Sequence, residues 1–496
     1  MRALAGDSLP SALPPERVRG DAETPTQAEP KPTAAWSPPE SAAQPGAGQP
    51  GAVQTGAEPT AAVAPEAQRA PEAEPGAGAE PGAGAEPGAG TEPRPSAAEP
   101  DNLPAASGRV PAPAPHVLIV GGGAIGGALA HDLALRGFRV TVVEKAELTS
   151  GATGRSQGLL HSGARYATMN RRLAVECAAE NKILRRIAPG TFEENDGLYV
   201  AVTDEDADFA PQFLEACWQS AVPTRRLTRE EAVRSEPGLN PQIKMAVQVP
   251  DATLDSMRLP LRFFATARRN GADIRHFTEV VAVRVAGGAA SGVRVRDRST
   301  DREYEIGADL IVNAAGPWAG RVAALAGGRV AFAIASGAMA SVSGRHVNMA
   351  ISRLHAPGDA DSLLPERRAT ILGPIRSTAD RPDGGSVDPE TIEELRHLGG
   401  LLIPSIAGAE IRARWTARQT IARKPGAVEI GEALMIDHSR DPKPILGFLT
   451  LTGGPTTTMR STAQSAADWI CGQMGIERRC ETADTPLLPH TAWYTP

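Results

Sequence analysis

Lysine is almost missing from this chain of 496 residues: six stand against 45 arginines. Cysteine is nearly as rare, with Cys177, Cys217, Cys471 and Cys480 scattered and no C-x-x-C spacing among them. That excludes a zinc or iron–sulfur site of the usual spacing and reads as reduced thiols in a cytosolic protein, with no metal expected. Excess positive charge is also lacking; the net charge is −7 and the pI near 5.8, so there is no electrostatic footprint for nucleic acid. No run approaches the 18 apolar residues of a spanning helix. The start has an early Arg2 but no apolar stretch behind it, so no secretory signal is read.

Length alone suggests about three domains at ~150 residues each. The first 113 residues, however, are dominated by Ala, Pro, Gly and Glu and repeat a six-residue EPGAGA unit between Glu74 and Pro93. Such a segment has little apolar surface to bury and many prolines without N–H donors, so it cannot offset its ordering entropy and reads as a disordered low-complexity tail. The remainder is long enough for two domains and a substantial core.

The informative stretch is HVLIVGGGAIGGALAHDLALRGFRVTVVEK, from His116 to Lys145. A buried strand, a glycine turn, an apolar helix and a second strand closing at Glu144 follow in that order. Gly121, Gly123 and Gly126 fill G-x-G-x-x-G: the first for the tight turn, the second for approach of a pyrophosphate, the third for packing of helix on strand. Glu144 lies 18 residues after Gly126, placed to accept hydrogen bonds from ribose hydroxyls. Gly46, Gly48 and Gly51 match the same pattern with no strand before and no helix after, and mean nothing.

A loop of small polar residues follows, including Ser150, Thr153 and Gly158, suited to an extended path along a phosphate or ring. Apolar spacing predicts helices at Arg171–Ile187, Asp206–Ala221, Leu259–Gly271, about Thr457–Met474 and in the middle of Pro389–Leu402. Strands are expected at Gly197–Val202, Lys244–Val249, Ala272–Val285, Gly292–Arg298 and Phe448–Leu451. Thr228 and Glu231 form a capping-box pair. Asn313–Ala314–Ala315–Gly316, ending a buried strand, allows a large flat group to approach backbone. The alternation of strands and helices indicates an α/β doubly wound parallel sheet, while Ala331 to about Lys424 is mixed and hard to read.

LLHSGARYA (Leu159–Ala167), ENKILRRIAP (Glu180–Pro189), the Val249–Pro250–Asp251…Asp255 segment, Val312–Trp318 and Phe448–Arg460 together resemble the FAD-dependent glycerol-3-phosphate dehydrogenases, in particular the anaerobic catalytic-subunit type, within the D-amino-acid-oxidase-like flavoproteins. The resemblance spans nearly all of 115–490. It implies a Rossmann-like FAD-binding domain (114–200, 242–330 and 428–490) and a mixed-sheet α+β substrate or cap domain (201–241 and 331–427). It further implies oxidation of sn-glycerol 3-phosphate to dihydroxyacetone phosphate by hydride transfer to flavin N5, with electrons passed to a quinone or to partner redox subunits. The location implied is cytoplasmic, with peripheral attachment to the inner face of the membrane as an open alternative. Arg165 and Tyr166 match the family's substrate-side Arg-Tyr pair, Arg418 is read as the Arg of G-V-R-P, and Arg460 ends the G-G-K-x-x-T-Y-R segment. His161 is either the base for the C2 hydroxyl or, as favoured here, an orienting group. Cofactor contacts are expected from Gly121, Gly123, Gly126, Glu144, Ser150, Thr153, Gly158, Gly316 and Gly454.

Several positions depart from the pattern. Pro455 replaces the Lys of G-G-K, Met459 the Tyr before Arg460, and Ser336 the Lys of A-K-G. The chain also ends at Pro496, before the further C-terminal domain of longer members. Losing two cations keeps open a flavoenzyme for another small hydroxy acid or amine, or a homologue that retains FAD without turnover.

Overall fold

The computed structural model describes residues 114–356, 362–422 and 431–495, within the compact unit Pro104–Pro496. The low-complexity tail, and residues 428–430 of the expected FAD-binding part, lie outside the described residues.

A six-stranded sheet runs in the order Ala433–Asp437, Phe448–Gly453, Leu310–Asn313, His116–Val120, Arg139–Val143 and Asp273–Arg275. All neighbours are parallel except Ala433–Asp437, which turns back on Phe448–Gly453. Val117, Leu118 and Ile119 are wholly buried because both faces of the central strand are covered. Helix Ala124–Leu135 is apolar almost all round, as a helix sandwiched on every side must be. It packs against helices Arg258–Arg269 and Met459–Met474, and Phe263 and Phe264 of the former are fully buried. Each contributes roughly 1.5–3 kcal/mol through its burial.

The expected strand Ala272–Val285 is two strands. Phe277 adopts a left-handed φ of 53°, ending Asp273–Arg275 at the sheet edge and starting Thr278–Ala286 in a separate three-stranded antiparallel sheet. The helix expected at Arg171–Ile187 is present with those bounds, and the one expected in the middle of Pro389–Leu402 fills the whole segment. Thr203 opens helix Asp204–Gln219 with a capping box, and Thr228 does the same for Arg229–Ser235.

The second large sheet has eight strands, in the order Ile411–Ala422, Phe332–Ser343, Ala369–Ala379, Ser362–Glu366, Ala350–Arg353, Gly197–Ala201, Met245–Val249 and Arg225–Thr228. The expected domain boundaries put Gly197–Val200 and Met245–Val249 on the FAD-binding side. Their ladder bonds instead join them to Arg225–Thr228 and Ala350–Arg353. One face of this sheet is covered by helix Pro389–Leu402, whose Ile392, Leu395 and Leu402 pack with Ala340, Val342, Leu372 and Ile375. The opposite face meets the 155–159 loop: Trp415 donates its indole N–H to the Arg155 carbonyl (3.0 Å), and Leu159 packs with Trp415 and Ile371.

Strand Ala369–Ala379 carries a bulge. Leu372 lies opposite Ala340 and Ile375 opposite Ala338, so three steps on one strand match two on its partner. The extra residue flips the side chains that follow to the other face. Arg376, opposite Gly337 and thence Ala417, is therefore turned toward the 155–166 loop rather than toward the covering helix.

Candidate functional site

At the carboxyl ends of the parallel strands lies a cleft of about 720 Å³, lined by Gly121–Gly123, Glu144, Thr149–Thr153, Ala314–Trp318, Gln419, Thr420 and Gly453–Thr456 among others. This is where a doubly wound sheet places a nucleotide. A Cβ on Gly121, which has φ +121°, would collide with the Ala314 carbonyl; one on Gly126 would collide with the Gly121 carbonyl. Packing therefore demands both glycines. Gly123 is different: a Cβ there meets only the Thr153 hydroxyl, at 3.1 Å, so it faces the cleft and caps the helix N-terminus. Bare backbone at a helix N-terminus is what a pyrophosphate requires.

Glu144 follows its strand immediately. Its carboxylate accepts the N–H of Gly122 (2.7 Å) and of Ala146 (3.0 Å), fixing the glycine turn while each oxygen keeps acceptor capacity for a ribose. Thr153 accepts the Ala124 N–H (3.0 Å), and Ser150 donates to the Glu147 carbonyl (2.7 Å). Thr149, at φ 66°, has a buried hydroxyl with no partner among the described residues. Gly316 (φ 52°) and Gly454 (φ 75°) form the facing wall. Trp318 completes it, with the Lys145 ammonium 4.0 Å above its ring and its indole N–H on Asp383 (2.7 Å). Gly158 departs from expectation: it is absent from the cleft lining, and its φ of +84° and contact with the Leu254 carbonyl serve the packing of strand on strand. The bare turn, the acidic residue, the orphaned hydroxyl and the cleft's size together fit an FAD.

The Leu159–Ala167 segment sits beside this cleft and is held by residues far away in sequence. Thr457, next to the cleft, accepts the His161 N–H (3.0 Å), and buried Asp251 accepts the Ser162 N–H (2.6 Å). The Asn181 amide donates to the carbonyls of His161 and Pro250, both at 3.2 Å, while Arg185 donates to Pro250 and Asp251. Asn181 and Arg185 both belong to the family-like ENKILRR stretch, and clamping this turn is their role. His161 and Tyr166 meet edge to face at 5.2 Å, and His161 Nδ1 and the Tyr166 hydroxyl are buried without partners among the described residues. Burial, with the charges of Arg165 and Arg376, lowers the imidazole to about 3, so it is neutral at pH 7. Burial likewise raises the Tyr166 phenol and keeps it protonated.

The arginines part company. Arg460 is buried, with Nε and Nη2 on Glu180 (2.8 and 2.5 Å) and Nη1 on Gln464 and Thr482, so its fork is committed to the protein interior. Arg418 donates to the carbonyls of Arg381 and Asp383. It is absent from the cleft lining, whereas its neighbours Gln419 and Thr420 belong to it. Pro455 lines the cleft as well, and Ser336 pairs with Arg418 in the sheet. Arg376, given no role by the sequence, joins Arg165 as a charge acting on His161 and Tyr166. Only the bulge brings it there, and a bulge in an unread strand leaves no sequence signal. Among the described residues there is no metal-ligating cluster, and no helix is long and apolar enough to cross a membrane.

Fold and cleft define a flavin-dependent oxidoreductase. The chain belongs to the FAD dependent oxidoreductase family, DAO, whose profile matches residues 116–468, and within it to the anaerobic glycerol-3-phosphate dehydrogenase group. It is 37% identical over 390 residues to an anaerobic glycerol-3-phosphate dehydrogenase subunit of Haloferax volcanii, covering 75% of this chain and 66% of that one. The anaerobic glycerol-3-phosphate dehydrogenase subunit of Escherichia coli is 35% identical over 376 residues, covering 75% and 69%. The chain thus spans about two thirds of the length of these relatives. Its fold is similar to that of the glycerol-3-phosphate dehydrogenase of Bacillus halodurans complexed with FAD, at a TM-score of 0.60 and 20% identity, covering 75% of this chain and 68% of that one.

Proposed function

We propose that this chain oxidises sn-glycerol 3-phosphate to dihydroxyacetone phosphate. The observation that carries the reading is the clamped His161–Tyr166 turn beside a cleft shaped for FAD, in a chain of this family. When bound, FAD supplies the acceptor for a hydride and the residues that hold it are Gly121–Gly123, Glu144, Thr153 and Gly453–Gly454. Arg165 supplies positive charge for the substrate's anionic end. Tyr166 offers a protonated hydroxyl. A pKa near 3 makes neutral His161 a poor proton acceptor at pH 7, which favours its orienting role. Electrons then pass to partner redox subunits or a quinone, with attachment to the inner face of the membrane through those partners; the relatives' designation as subunits supports this.

A second reading has its own observation: Pro455 and Ser336 are uncharged where the family pattern carries a lysine. That favours an unphosphorylated hydroxy acid. Anaerobic bleaching of the flavin by glycerol 3-phosphate, lactate and 2-hydroxyglutarate decides. Bleaching by millimolar glycerol 3-phosphate is the expected result; bleaching by a hydroxy acid alone refutes the first reading.

A further inference from the structure

Two lysine positions of the family pattern, 336 and 455, carry no charge in this chain, while Arg376 stands on the eight-stranded sheet. The bulge between Leu372 and Ile375 turns Arg376 onto the face that meets the flavin-side loop. Two observations fix which face that is. Trp415, two residues from Ala417 and so on its face, bonds the Arg155 carbonyl, and the amide of Gln157 bonds the Gly373 carbonyl. Arg376 lies opposite Gly337, which pairs in turn with Ala417 on the face of Trp415. Its charge reaches both His161 and Tyr166, as does that of Arg165.

We propose that Arg376 is the specificity-determining residue of this chain: with Arg165 it grips the anionic end of the substrate, in place of the lysines the family pattern puts at 336 and 455. The inference rests on the reading that the substrate is a small anion oxidised beside the His161–Tyr166 turn. A guanidinium presents a planar fork that matches a carboxylate or phosphate through two parallel hydrogen bonds, whereas a lysine acts as a point charge. Moving the charge from lysines to a second arginine shifts recognition toward planar two-point contact. The shared ligand chemistry is an oxyanion on a small secondary alcohol.

The test uses the full chain loaded with FAD, comparing wild type with Arg376→Gln, Arg376→Lys and the exposed-site control Arg414→Gln. Binding is read without turnover, as the change in the flavin spectrum on titration with inorganic phosphate and, separately, with acetate. Arg376→Gln is expected to weaken anion binding about tenfold to a hundredfold, the value of one charge-assisted contact. Its Michaelis constant for the oxidised substrate should rise by the same factor with little change in kcat. Arg376→Lys should fall between, and Arg414→Gln should match wild type. The stronger of the two titrations tells a phosphate end from a carboxylate end. Unchanged anion binding in Arg376→Gln at normal flavin content overturns the proposal, as does absence of any anion response in wild type. If wild type binds anion through Arg376 but no hydroxy substrate bleaches the flavin, the proposed function fails and the anion grip stands. Should Arg376→Gln not fold, Arg376→Lys decides alone: equal affinity for both anions to wild type within twofold overturns the claim.

Discussion

Arg165, Arg418 and Arg460 carry the same group to three different fates, and burial and partners separate them. Arg460 and Glu180 bury their side chains to 5% and 3% exposure, with each guanidinium nitrogen engaged. Removing one partner strands a buried charge, so Arg460→Ala should lower stability by about 3–5 kcal/mol. The double variant Arg460→Met with Glu180→Met should recover most of it. Denaturant unfolding of the three proteins measures this; a normal midpoint in Arg460→Ala would contradict the structural role. Gly123 makes the opposite kind of residue-level claim. Nothing but the Thr153 hydroxyl lies near its missing Cβ, so Gly123→Val should fold yet lose its flavin, since the added methyls fill the space of the pyrophosphate. Flavin absorbance per chain after reconstitution with FAD checks it. Residue identity gave away the glycines and Glu144, because their backbone chemistry is local. It could not reveal what an arginine pairs with, since Glu180 lies 280 residues before Arg460.

At the scale of elements, legibility follows period and composition. Helix Arg171–Ile187 announces itself by apolar spacing and Pro389–Leu402 does so in its middle, while their N-caps, Asn170 and Asp388, show only in the structure. Strand Phe332–Ser343, FAIASGAMASVS, is built largely from alanine, glycine and serine, residues with little strand preference, and long-range pairing makes it a strand. The loop after Phe448–Gly453 permits a direct test of the missing charge. Pro455 has φ −73° and ψ 156°, backbone that any residue adopts, so Pro455→Lys should be accommodated. If glycerol 3-phosphate is the substrate, the variant should lower its Michaelis constant about tenfold. An unchanged or higher constant, with flavin content intact, would show that this loop does not face a phosphate.

For the whole molecule, stability depends on pH through histidines in the core. His131 is fully buried in the first helix, edge-on to Phe263 at 5.6 Å, and both ring nitrogens lack partners among the described residues. Burial depresses it to about 4. Between pH 6.5 and 4 the unfolded chain binds a proton there that the folded chain refuses, so stability falls as pH falls through that window, by about 3 kcal/mol. His131→Leu should flatten that limb of a stability–pH curve. An identical slope in the variant would assign the acid loss to other groups.

Thr457 directly follows Thr456 of the cleft lining and accepts the His161 amide with its hydroxyl, across 296 residues of sequence. Thermodynamics makes any such coupling symmetric. Whatever factor an anion held near His161 adds to the affinity for FAD, FAD must add to the affinity for the anion. Where that factor exceeds one, a chain stripped of cofactor grips its substrate less tightly and substrate slows the loss of flavin: the cell's supply of either molecule then sets how firmly the protein keeps the other.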